Sequence, residues 1–169
     1  MASRSRYRPS GRTEVQRLKD DLDALFVRAD DVDPGSEVEA DLNRYLCVRI
    51  SGFLERALAS VARVLCEQES FNRGQTFGLS WLGRTPNPRS DEIVKLVRRF
   101  DIDWAVELEE YLGEFERYSR INALLGIRND IAHGRNQGMS RSRTWEYYEL
   151  VSDLVDWLLE RFDPLPTAV

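Results

Sequence analysis

The run from Ser36 to about Glu69 repeats apolar side chains three and four positions apart, from Val38, Leu42, Tyr45 and Leu46 through Ile50, Phe53, Leu54, Ala57, Leu58, Val61 and Leu65. That is the period of an α-helix, and Ser36 with Glu39 makes a capping box at its start. The apolar band is too broad for a surface helix, so the segment is predicted to form the centre of a bundle, with Gly52 suited to a close helix contact. Arg44, Arg49, Arg56 and Arg63 read as a solvated face paired with Asp41, Glu55 and Glu67, or alternatively as a ridge facing a substrate. No stretch alternates with period two and no repeat is present, so nothing argues for strands.

Shorter helical segments surround this one. Thr13 to Gln16 resembles a second capping box, followed by Val15, Leu18, Leu22, Leu25 and Phe26 to about Ala29. Ser90 is placed to cap a short helix through Phe100, and Trp104 to Phe115 continues the pattern. Ser119 is the expected N-cap of a helix closed by Gly134; Arg135 to Ser140 reads as a polar loop, and a last helix follows it to about Phe162 before Pro164 and Pro166. The expected fold is all-α: a single-domain up-and-down bundle of about five helices over residues 12–163. A flexible basic arm, 1–11, precedes it and a short tail, 164–169, follows. Residues 70–90, rich in Gly, Pro, Ser and Asn, are expected to form a long loop in which Phe77 and Trp81 anchor to the core or stack on bases.

At 169 residues, 42% of them hydrophobic, the chain has the length and composition of one globular domain. No apolar run approaches the ~18 residues that span a bilayer, and no secretory signal is evident. Cys47 and Cys66 fall on one predicted helix, ~28 Å apart, far beyond disulfide reach. Reduced thiols fit a cytoplasmic protein. With one histidine and no cysteine cluster there is no ligand set for zinc, and neither metal nor cofactor is expected.

A net charge of −5 taken whole argues against nucleic-acid binding, but the charge is unevenly spread. Residues 117–143 hold six arginines against one acid, Asp130, and residues 1–12 add four arginines and no acid. Arg120, Arg135, Arg141 and Arg143 are therefore expected to contact RNA; the competing reading is a set of surface arginines on a helix end and loop.

Inside the basic region lies Arg128-Asn129-Asp130-Ile131-Ala132-His133-Gly134, and His133 is the only histidine in the chain. A histidine's ordinary pKa, about 6.5, makes it a proton carrier near neutrality. On a helix, Asn122, Gly126, Asn129 and His133 share one stripe, while Arg128 lies ~140° away from His133. Arginine, histidine and asparagine together suit RNA cleavage by the RNA's own 2′-hydroxyl: imidazole takes the proton and guanidinium holds the phosphoryl oxygens. Two copies meeting along that stripe would supply two histidines and bring one chain's Arg128 beside the other's His133. Spacing alone is permissive in so arginine-rich a chain, and a structural arginine with a helix-end histidine fits it too.

At these residues the sequence resembles the HEPN superfamily, whose nuclease members carry Arg, four to six residues, then His, often with a polar residue directly after the Arg. Tyr45 to Glu55 is similar to an early helix of the RiboL-PSP branch, so the likeness extends over roughly 36–162. The resemblance implies a helical bundle, a homodimer with a composite active site, and metal-independent endoribonuclease activity with Arg128 and His133 catalytic and Asn129 supporting. It also implies a setting in bacterial antiviral defence or a toxin–antitoxin pair, with an antitoxin or defence protein as partner; inactive members act as nucleotide- or protein-binding modules. Toxins of the family that are controlled by adenylylation tend to have Tyr two residues after the His, where this chain has Arg135.

Overall fold

The computed structural model describes residues 11–69, 88–135 and 138–164. Six helices make up this part: α1 (Gly11–Asp30), α2 (Glu37–Glu69), α3 (Ser90–Arg98), α4 (Ile102–Gly113), α5 (Arg117–Ala132) and α6 (Arg141–Phe162). A 3-10 turn, Glu114–Glu116, joins α4 to α5. Among the described residues there is no strand, and the architecture is an all-α bundle. The arm expected at 1–11, apart from Gly11, and most of the 70–90 loop, including Phe77 and Trp81, lie outside the described residues.

Helix directions follow from side-chain contacts. Arg12 meets Asp163 while Arg141 meets Ala29 and Asp30, so α1 and α6 are antiparallel. Asn43 reaches Met139 and Cys47 reaches Thr144, which sets α2 parallel to α6. Trp104 packs on Phe162, Tyr111 on Trp157, and Arg120 faces Glu146, so α4 and then α5 run back along α6 as one broken helix. Leu22, Leu46, Ile50, Leu54, Leu124 and Leu154 are fully buried at the centre. Each such side chain contributes about 1.5–3 kcal/mol by leaving water. The apolar face expected of the long helix is mostly interior, but Val38 and Tyr45 are exposed. Val38 lies in the first turn, and Tyr45 packs instead under Arg49, whose Nη1 donates to its hydroxyl at 2.9 Å.

Three expected helix starts are corrected by tertiary contacts. α1 begins at Gly11 rather than at a Thr13 cap, because the Asp163 carboxylate accepts the Arg12 amide at 2.8 Å from the far end of the chain. Ser90 is the first residue of α3 rather than its cap: its hydroxyl donates to the Tyr118 carbonyl and its amide to Asn122 Oδ1. α5 begins at Arg117, two residues before Ser119, whose hydroxyl donates to the Glu116 carbonyl. The chain enters α5 through Phe115 and Glu116, both left-handed at φ 50° and 56°. Such a conformation costs a non-glycine residue roughly 1–2 kcal/mol. Arg117 pins the junction by donating to the Tyr111 carbonyl and the Glu114 carboxylate, both at 2.9 Å. The reading of arginines along α2 holds for Arg44, paired with Asp41, whereas Arg63 crosses to Glu14 on α1 at 2.5 Å. No helix among the described residues is long and apolar enough to cross a membrane.

Candidate active site

The residues of interest sit at the C-terminal end of α5. Gly134, at φ 72°, ends the helix, with the Gly134 amide bonded to the Ile131 carbonyl at 3.0 Å and the Arg135 amide to the Asp130 carbonyl at 2.8 Å. This pair of bonds is a Schellman closure, and only glycine takes the left-handed position without strain. It leaves His133 as the C-cap residue, just past Ala132 and exposed to solvent. Among the described residues no hydrogen bond or ion pair engages its imidazole.

The buried side of α5 is Ile121, Leu124, Leu125 and Ile127. Arg128 follows that side, half-buried, yet its guanidinium turns outward: Nη1 donates to Asn129 Oδ1 at 3.3 Å. Asn129 is exposed and one turn before His133, whose amide donates to the Asn129 carbonyl at 3.0 Å. Gly126 and Asn129 share the open face with His133, and nothing lies within 4 Å of where a Cβ on Gly126 would stand. Asn122, on the same stripe, is instead half-buried and anchors α3 through the Ser90 amide.

The four arginines expected to bind RNA have different surroundings. Arg141 holds the end of α1, donating to the Ala29 carbonyl at 2.6 Å and to the Asp30 carboxylate. Arg135 is paired with Asp130 at 2.8 Å. Arg120 and Arg143 are brought together: with Ser119, Ala123, Glu146 and Tyr147 they line a shallow cleft of about 310 Å³ between α5 and α6. Arg143 donates to the Tyr147 hydroxyl at 3.3 Å, and Arg120 lies 3.9 Å from Glu146.

Sequence reasoning missed this cleft, because nothing local announces that the first turns of two helices will face each other. It also missed Asn43, a fully buried polar side chain on α2 that donates to the Met139 carbonyl at 3.2 Å. That bond ties the segment after His133 to the bundle centre. Cys47 and Cys66 are free and buried; burial raises both thiol pKa values, and for Cys47 outweighs the opposing pull of Thr144 and Arg143. Among the described residues no three His, Cys, Asp or Glu side chains are grouped to hold a metal ion.

The RiboL-PSP-HEPN family model matches residues 76–162, half of the chain. The chain belongs to the RiboL-PSP-HEPN family. The HEPN match spans α3 to α6 and includes Arg128, Asn129 and His133. Tyr45 to Glu55, on α2, lies outside the matched residues. No curated protein and no solved structure matches this HEPN chain.

Proposed function

We propose that this HEPN protein is a metal-independent endoribonuclease that works as a homodimer with a composite active site. One observation carries the reading: in a HEPN chain, the Arg-x4-His pair stands at an open helix end, with the imidazole exposed and Arg128 turned outward to Asn129. In the proposed reaction a neutral His133 imidazole takes the proton of the RNA 2′-hydroxyl. The 2′-oxygen attacks the adjacent phosphorus, the P–O5′ bond breaks, and the 5′-oxygen leaves with a proton given by the protonated imidazole of the second copy. Arg128 holds the non-bridging oxygens as negative charge gathers on them, and Asn129 positions that guanidinium. The products are a 2′,3′-cyclic phosphate and a 5′-hydroxyl end. The nucleophile is already tethered beside the phosphorus, so the step calls for no second substrate to be bound.

The dimer enters because acid and base are both useful and each chain has one histidine. Two α5 helices meeting along Gly126, Asn129 and His133 would place two imidazoles at one phosphate. The biological setting that goes with this reading is bacterial antiviral defence or a toxin–antitoxin pair, with an antitoxin or defence protein holding the activity in check. The deciding experiment is incubation of single-stranded RNA with wild type, Arg128→Ala and His133→Ala in EDTA, with analysis of the new ends. Cyclic phosphate ends from wild type alone support the proposal. Equal cutting by all three would end it, and cutting by none points to a catalytically inactive HEPN module that binds nucleotide or protein.

A further inference from the structure

We propose that the cleft between the first turns of α5 and α6 is a second phosphate subsite. It would take a backbone phosphate of the same single-stranded RNA, several nucleotides from the bond that is cut. The identity of the ligand rests on the endoribonuclease reading; the shape and charge of the cleft do not.

Two arginines line it from different helices, Arg120 from α5 and Arg143 from α6. Each carries five N–H donors in a fork that matches phosphate oxygens. The nearest acid to Arg120 is Glu146, at 3.9 Å, beyond hydrogen-bond range. Arg143 has a neutral partner, the Tyr147 hydroxyl at 3.3 Å, with its guanidinium 5.8 Å from the Tyr147 ring centre. Both cations therefore keep donors free for an incoming anion, in contrast to Arg135 and Arg141, which are bonded to Asp130 and Asp30. Ala123 offers only a methyl group to the cleft, which leaves room for a phosphate. Glu146 opposes the anion, and its loose contact with Arg120 is cheap to displace.

The form of the cleft selects backbone over base. It is open and shallow, and the one aromatic ring on its wall, Tyr147, is buried, so no ring face is presented for stacking. Contacts of this kind position a strand without reading its sequence. Ala123 and His133 are ten residues apart on α5, about 15 Å along the axis. A dinucleotide held at His133 cannot reach the cleft, while a longer strand leaving the reaction centre along α5 can. The subsite thus acts on binding of long substrates and leaves the chemical step alone.

The test compares wild type with Arg120→Ala/Arg143→Ala on a uridine dinucleotide and a dodecauridylate, with cleavage kinetics and with fluorescence anisotropy in a His133→Ala background. The double variant should raise KM for the long strand about tenfold or more, with kcat unchanged. KM for the dinucleotide should not move, and the salt dependence of binding should flatten by about 0.7 per lost phosphate contact. Glu146→Gln should tighten long-strand binding, a gain that a folding defect does not mimic. Equal losses on both substrates, a fall in kcat alone, or no loss of long-strand binding would overturn the subsite. If no RNA is cut by any form, anisotropy still decides: binding that depends on Arg120 and Arg143 upholds the cleft while the nuclease reading falls, and absence of binding removes the cleft.

Discussion

Arg128 and Asn129 are neighbours in the chain and are also joined through their side chains, Nη1 of the arginine donating to Oδ1 of the asparagine across 3.3 Å. Successive helical residues point ~100° apart, so this contact requires the arginine to swing from the core-facing side of α5 toward solvent. Asn129 lies on the side where His133 stands, and its carbonyl caps the His133 amide. The asparagine side chain is therefore the link that draws the guanidinium toward the His133 side of α5, from which the helix alone would hold it ~140° away.

From this link comes a graded series of variants. Under the endoribonuclease reading, His133→Ala should lower kcat by about 10²–10⁴ and Arg128→Ala by about 10²–10³. Asn129→Ala, which frees the arginine without removing it, should cost roughly tenfold, the order of one long, exposed hydrogen bond. Single-turnover cleavage measures all three. A loss for Asn129→Ala as large as for His133→Ala would mean that the asparagine itself contacts substrate.

Gly126 offers a separate test of the proposed pairing of two copies. The space around its missing Cβ is open and its backbone is helical. Replacement by alanine should raise monomer stability by roughly 0.5–1 kcal/mol, because glycine is a poor helix former. Gly126→Trp should likewise leave the monomer folded while wedging apart two α5 helices that meet there. Sedimentation should show wild type as a dimer and Gly126→Trp as a monomer with intact helical circular dichroism. A dimer indifferent to the tryptophan would place any interface elsewhere.

The clamp between the chain's two ends should be measurable in thermal unfolding. Asp163 accepts the Arg12 amide, while the Arg12 guanidinium donates to the Asp163 and Leu159 carbonyls at 2.9 and 3.2 Å. Asp163→Ala removes what amounts to an N-cap for α1 and should cost about 0.5–2 kcal/mol. Asp163→Asn, which keeps an acceptor, should retain most of that stability. Equal destabilisation by both variants would assign the effect to charge rather than to the capping bond.

Acid sensitivity should centre on Glu14. Burial alone would raise its pKa, but hydrogen bonds from Arg63 and Ser60, with the charges of Arg63 and Arg56, bring it below the ordinary 4.5. A carboxyl depressed in the folded state holds its proton less readily there than when unfolded. Its stabilising contribution is complete above about 4.5 and is lost as pH falls through the lower folded value. Glu14→Gln should therefore lower Tm at pH 7 and flatten the decline of Tm below pH 4.5. Parallel Tm curves for wild type and variant across that range would show that the Arg63 pair carries no such linkage.

Much of the bundle was legible in the chain because helices announce themselves locally. The apolar positions of α2, Val38 and Tyr45 excepted, those of α6, the Ser36 cap and the Gly134 stop all work within a turn or two of their own residues, and these stand in the structure where the pattern places them. Helix starts were read less well for the same reason. At Gly11, Ser90 and Arg117 the deciding groups are Asp163, Asn122 and a left-handed pair of residues, none of which a local capping rule weighs.

The sequence by itself determined the helical class, the position of Arg128, Asn129 and His133 at a glycine-terminated helix end, and the concentration of arginine around them. Periodicity encodes the angle of a side chain about its own helix axis, and that was enough for these. Only the tertiary structure decided which arginines keep free donors, since Arg141 is taken up by α1 from over a hundred positions away and Arg143 is left to a neutral tyrosine. It also decided that Arg120 and Arg143 share one cleft. Which helix faces which is settled by packing across the whole chain, and no angle about a single axis carries that information.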